Sequence, residues 1–238
     1  MKSPVEEQDW RGLNQTLQEI EGPGLLDVEI CADVLETAGI KIVPWRLVSG
    51  PGELDKAASE LSFPLVMKID SPHISHKSDV GGVITGLTDK GQVRRAYDGM
   101  MDRVRLERPD AEVRGVTLHE FAEGVELVLG MSRDPQFGPV VMVGMGGVFV
   151  EVLQDLAFRI APFPRGEALA ALDELKSKEV LQGYRGGHVV DPELVADAMV
   201  ALGDLAVKVP AIKEVDLNPM MASGSGVVAA DVRMVKGA

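Results

Sequence analysis

The 238-residue chain has little of several things, and each shortage excludes something. A single cysteine, Cys31, allows no internal disulfide, so a reducing compartment is expected, with the thiol packed among the apolar positions of a helix. Basic residues are scarce: 24 Lys and Arg stand against 37 Asp and Glu, a formal charge of −13. A nucleic-acid backbone or an anionic membrane would on average be repelled, and any phosphate must be held by a local cradle. Long apolar runs are also missing. The uncharged stretch from Phe137 to Val150 is broken by glycines and falls short of the ~20 residues of a membrane span. The first residues, Met1-Lys2-Ser3-Pro4-Val5-Glu6-Glu7, show no apolar targeting core, so a cytoplasmic location is expected. Four common site signatures are absent too: the Gly-x-x-x-x-Gly-Lys-Ser/Thr loop, a Gly-x-Gly-x-x-Gly after a strand, Cys-x-x-Cys and His-Glu-x-x-His.

What is present is the composition of a folding globular protein, 45% hydrophobic and 26% charged. Residues 1 to about 22 are polar and end in Glu21-Gly22-Pro23-Gly24, which suggests a loosely attached arm over 1–23. Asp27 can cap a helix with Val28, Cys31, Ala32, Leu35 and Ala38 on its apolar face, stopped by Gly39. A strand at 40–43, a helix from Leu54, a buried strand over Pro64–Ile69, a strand over Val80–Leu87 and a helix through Val93, Tyr97, Met100 and Val104 follow. Strands near 115–121 and 125–131 come next, then a strand running from Pro139 into glycines, and a helix opened by Asp191-Pro192. A hairpin, 212–218 with 227–233 around Ser223-Gly224-Ser225-Gly226, closes the series. The pattern reads as α+β, with strands in more than one sheet.

Three segments point to chemistry. In Ser71-Pro72-His73-Ile74-Ser75-His76-Lys77-Ser78-Asp79-Val80-Gly81-Gly82-Val83, two histidines and a lysine stand against a Gly-Gly pair. A neutral imidazole can accept a phosphoryl group where cations or amides stabilise the moving charge; the same segment also suits a solvated loop. Lys68 lies inside an apolar strand, where its ammonium needs a partner such as phosphate or must reach water from a sheet edge. On the last hairpin, Glu214, Asp216 and Asn218 share one strand face, and a turn centred between Ser223 and Gly224 would set Asp216 opposite Asp231. Such oxygen ligands suit Mg²⁺; a solvated strand face is the alternative. Two weaker segments are His119-Glu120-Phe121 with Glu126, at strand ends, and Gly144-Met145-Gly146-Gly147, either a phosphate cradle of amides or a tight turn.

Together and in this order, His76-Lys77-Ser78-Asp79-Val80-Gly81-Gly82-Val83, Ser132-Arg133-Asp134-Pro135-Gln136-Phe137-Gly138-Pro139 with Gly144 to Glu151, and Glu214-Val215-Asp216-Leu217-Asn218-Pro219 resemble the ATP-grasp subunit of nucleoside-diphosphate-forming acyl-CoA synthetases, over residues 24 to 236. The resemblance implies an ATP-grasp fold of two α+β lobes clasping a nucleotide, expected here over 24–115 and 116–238. It implies an acid–CoA ligase that exchanges acyl-CoA, phosphate and ADP for acid, CoA and ATP. By motif, His76 would be the relaying histidine and Asp216 the acidic partner of a phosphohistidine. Lys68 would bind phosphate, Glu120 and Phe121 would form the adenine hinge, Glu126 would take the ribose, Gly146 and Gly147 would face the nucleotide, and Asn218 and Asp231 would hold Mg²⁺. Aspartate at 216 departs from the succinyl-specific relatives, which carry glutamate there. No CoA-binding half is evident, so the implied partner is a CoA-binding alpha subunit with a second phosphohistidine, in a heterotetramer of two alpha and two beta chains. Two other readings stay open: an ATP-grasp carboxylate–amine ligase without phosphohistidine, and a nucleotide-sensing module that regulates an acyltransferase.

Overall fold

The computed structural model describes residues 7–74, 77–147 and 154–237. The chain divides into two compact units, one made of residues up to Ile42 and from Glu123 onwards, the other of Val43–Ala122. This corrects the division expected from the sequence: the segment before Ile42 belongs with the C-terminal half, and the second boundary falls at Ala122 and Glu123.

The larger unit holds a seven-stranded antiparallel sheet. Its strands are β1 (Gly24–Leu25), β6 (Val125–Asp134), β7 (Gly138–Met145), β8 (Leu156–Ile160), β9 (Ile212–Ala222), β10 (Val227–Ala229) and β11 (Arg233–Lys236). They run in the order β1-β11-β9-β6-β7-β8, with β10 also paired to β9. Its helices are α1 (Glu7–Glu19), α2 (Val28–Ala38), α5 (Arg165–Glu174) and α6 (Pro192–Lys208). Period-two alternation puts Leu127, Leu129 and Met131 of β6, Val141, Val143 and Met145 of β7, and Val215 and Leu217 of β9 into one core with the helices. Their neighbours in sequence face the other way.

The expected loose arm is instead α1. Trp10, Leu13 and Leu17, at helical spacing, are buried in this core, and the Asn14 amide donates to the Lys208 carbonyl at 2.9 Å. Lys236 further ties the turn after α1, donating to Ile20 O at 2.8 Å and Gly22 O at 3.1 Å. Helix α2 ends as its sequence predicts: Gly39 takes φ 73° and its amide donates to Glu36 O. The segment 40–43 is not a strand; Ile42 makes one isolated bridge to Ala229.

The smaller unit is a four-stranded antiparallel sheet in the order β2 (Trp45–Val48), β5 (Gly115–Glu120), β3 (Leu65–Asp70), β4 (Val83–Leu87). Helices α3 (Leu54–Ser59) and α4 (Lys90–Glu107) cover one face, where Leu65, Met67, Ile69, Val116 and Leu118 meet Val93, Tyr97, Met100 and Val104. Asp89 caps α4 by accepting from the Gln92 amide at 2.8 Å.

Candidate functional site

Two strands of the larger sheet give its open face its chemistry. Along β9 burial alternates, with Val215 and Leu217 inward and Asp216 and Asn218 outward. Pairing with β6 changes register between Leu127, opposite Met220, and Leu129, opposite Leu217, so β9 carries one extra residue at Asn218 and Pro219. A bulge is a usual device for aiming side chains beside a site, and Pro219 has no N–H to lose from the ladder. Beside it opens a cavity of about 410 Å³, lined on one side by Glu214, Asp216, Asn218, Arg233 and Ser132 and on the other by Val128, Val140, Met142 and the half-exposed Phe158.

The expected pairing of Asp216 with Asp231 is corrected by the register. The turn is centred one residue later, with Ala222 opposite Val227, and this sets Asp216 opposite Arg233. Asp231 sits in the link between β10 and β11 and still acts on Asp216 through space. Burial raises the pKa of Asp216; Arg233 offsets part of that rise and Asp231 adds to it. Among the described residues no three His, Cys, Asp or Glu side chains gather as a metal cage. Two carboxylates and a carboxamide remain, an all-oxygen set that fits Mg²⁺, an ion usually held by one or two carboxylates with substrate phosphates completing the shell.

Gly146 and Gly147 follow β7. The Gly146 amide donates to Glu126 O at 2.7 Å, and a Cβ there would lie 2.9 Å from the Glu126 backbone. Gly146 is therefore a close-approach position and its amide is not a phosphate donor, which corrects that part of the expected cradle. Gly147 is exposed at φ 61°, next to the exposed Glu126.

In the smaller unit, Lys68 is 7% exposed on β3, opposite Thr117 of β5 and Val83 of β4. It lies on the sheet face away from α3 and α4, together with Thr117 and His119. The His119 ring contacts the Thr117 hydroxyl at 2.9 Å and stacks on Trp45 at 6.2 Å. Glu120 accepts the Ser62 amide at 2.8 Å, and Phe121 is 48% exposed. His76 lies outside the described residues. The glycine pair beyond it folds the loop onto β3: Gly82 donates to Lys77 O at 2.7 Å and its carbonyl accepts from Ile69 N. His73 has a structural contact, its Nδ1 accepting the Glu112 amide hydrogen at 3.0 Å.

In the Ser132–Pro139 run, Ser132 lines the cavity while Arg133 and Asp134 make structural contacts. Arg133 donates to the carbonyls of Ile212, Ala206 and Val209, clamping the end of α6, and Asp134 accepts the amides of Gln136 and Phe137 to shape the β6–β7 turn. Sequence reasoning missed Arg233. Its place two residues beyond Asp231, within the strand expected over 227–233, was the available signal.

Residues 19–235 match the family described as an ATP-grasp domain, and the chain belongs to that family. Within it the chain falls with the beta subunits of ADP-forming acid–CoA ligases. It is 41% identical over 204 residues to the beta subunit of acetate–CoA ligase (ADP-forming) I of Pyrococcus furiosus, covering 85% of this chain and 88% of that one. The acetate–CoA ligase (ADP-forming) I of Archaeoglobus fulgidus is 40% identical over 86% of this chain, which spans 30% of that longer protein. Among solved structures, acetyl-coenzyme A synthetase 1 of Ca. Korarchaeum cryptofilum, in complex with coenzyme A, Ca-AMPCP and HgCl+, superposes with a TM-score of 0.89 at 39% identity, covering 95% of this chain and 99% of that one. The same enzyme has been solved with Mg-AMPPCP and its phosphohistidine segment pointing towards the nucleotide site, with a TM-score of 0.80 at 36% identity and the same coverage.

Proposed function

We propose that this chain is the nucleotide-binding subunit of an ADP-forming acid–CoA ligase and that His76 carries a phosphoryl group between a CoA-binding partner and the nucleotide. The observation that carries the reading is the polar wall of the β9 cavity, with Asp216 and Asn218 set side by side at the bulge. The phosphohistidine segment of the Korarchaeum relative supports the role of His76, and the Archaeoglobus relative, of which this chain spans 30%, supports a CoA-binding partner.

In this account the His76 imidazole takes phosphorus from the partner's phosphohistidine, one N–P bond forming as the other breaks. A terminal oxygen of ADP then attacks that phosphorus, the N–P bond to His76 breaks, and ATP and a neutral imidazole result. Asp216 serves as the acidic partner of a phosphohistidine. Asn218 and Asp231 hold Mg²⁺, which when bound neutralises phosphate charge. Lys68 binds phosphate oxygens, Glu120 and Phe121 receive the adenine, Glu126 the ribose hydroxyls, and Gly147 lies beside the nucleotide. The partner is a CoA-binding alpha subunit with its own phosphohistidine, in an assembly of two alpha and two beta chains.

The test is reconstitution with the CoA-binding partner, measuring acyl-CoA-dependent ATP formation. His76→Ala should lower the rate by at least about a thousandfold while Mg-ADP affinity stays within about twofold. Full activity in that variant would favour a carboxylate–amine ligase type of ATP-grasp chemistry instead.

A further inference from the structure

The cavity beside β9 holds one basic side chain among its lining residues, Arg233. Other arginines of this unit are engaged by their surroundings. Arg133 donates to three carbonyls, and Arg159 is held by Glu167 and Glu174. Arg233 differs: it faces Asp216 across the strand pair and acts on it through space, with no side-chain hydrogen bond between the two. Arg233 is exposed and lines the cavity, whose other lining residues include Val140, Met142 and Phe158. Apolar walls strengthen charge-assisted hydrogen bonds, and a guanidinium fork matches two oxygens of one phosphate. In a chain of net charge −13, an anion bound on this face needs such a local cation.

We propose that Arg233 is a phosphate-binding residue, whose guanidinium takes the phosphate oxygens of the nucleoside diphosphate or triphosphate bound on this face. The assignment rests on the nucleotide-binding reading above and adds to it a residue which that reading did not contain. Asp216 and Arg233 then divide the work across one strand pair, the carboxylate for the histidine and the guanidinium for the phosphates.

The test is calorimetric titration of the full-length chain with Mg-ADP and, separately, with adenosine, at fixed ionic strength. Arg233→Gln should weaken Mg-ADP binding by about tenfold to a hundredfold and leave adenosine within about twofold. Arg233→Lys should fall between, keeping the charge but losing the fork. Melting curves of both variants check that the sheet is intact. Unchanged Mg-ADP binding in Arg233→Gln, or an equal loss for adenosine and Mg-ADP, overturns the proposal. A wild-type chain that binds no Mg-ADP would overturn the underlying reading and this assignment with it. Wild-type Mg-ADP binding left unchanged by Arg233→Gln would sink the assignment alone.

Discussion

Asp216 of β9 stands directly across from Arg233 of β11, not across from Asp231, two residues earlier. Although Asp216 points outward, partial desolvation and the Asp231 carboxylate outweigh the Arg233 guanidinium, and the net effect raises its pKa.

A carboxyl whose folded pKa exceeds its unfolded value of about 3.9 binds more protons when folded, so its ionisation costs stability above that window and nothing below it. Asp216→Asn should therefore raise the melting temperature slightly at pH 7, by no more than about a degree, because the side chain is exposed and water screens its charge. That gain should fade below about pH 4, and phosphoryl transfer should fall by about a hundredfold. A melting temperature lowered at pH 7 would contradict this account of Asp216.

Arg133 answers the carbonyls of Ala206 and Val209 at the end of α6, where the helix dipole also favours a cation, and that of Ile212 at the start of β9. Arg133→Ala should cost about 2–4 kcal/mol in urea unfolding, because three acceptors lose their donor at once. Nucleotide affinity, measured in the folded fraction, should stay within about twofold, as Arg133 is not a lining residue of the cavity.

Asp155 shows the opposite titration. It is 3% exposed, and burial alone would raise its pKa, but the Ser177 hydroxyl, the amides of Lys176 and Ser177 and the charge of Lys176 outweigh burial and lower it. Its contribution is present above the unfolded value near 3.9 and is lost as pH falls through the folded one. Asp155→Ala should cost about 2 kcal/mol at pH 7, with the gap to wild type closing below about pH 4.

Gly82 lets the loop after His76 lie against β3. A Cβ there would stand 2.5 Å from Ile69 Cγ2 and 2.9 Å from the Lys77 carbonyl. Gly82→Ala should destabilise the smaller unit by about 1–3 kcal/mol, visible as faster amide exchange in β3 and β4 than in β9.

Much of this was legible in the sequence, and the failures have particular causes. Helix α4 was readable because Val93, Tyr97, Met100 and Val104 repeat on one stripe and are the residues buried. For α6 the cap at Asp191 is readable, but so much of the helix is apolar that the buried face through Val195 and Met199 does not stand out from the sequence. Helix α1 was missed because its three core residues lie among polar ones and the Gly22-Pro23-Gly24 turn, which only joins α1 to β1, resembles a boundary. The motifs named the functional strand, but composition does not fix where a four-residue Ser-Gly turn is centred. Moving that centre by one residue shifted the partner of Asp216 by two and changed its charge from negative to positive.

The most direct test of the relay is to incubate the chain with Mg²⁺ and ATP labelled at its terminal phosphate, quench in alkali and map the label by peptide fragmentation. The proposed relay predicts an acid-labile, base-stable phosphate on His76, absent from His76→Ala, and none on His73, whose Nδ1 already accepts the Glu112 amide hydrogen. Label on any other residue, or none at all in a chain with Mg-ATP bound, would contradict it.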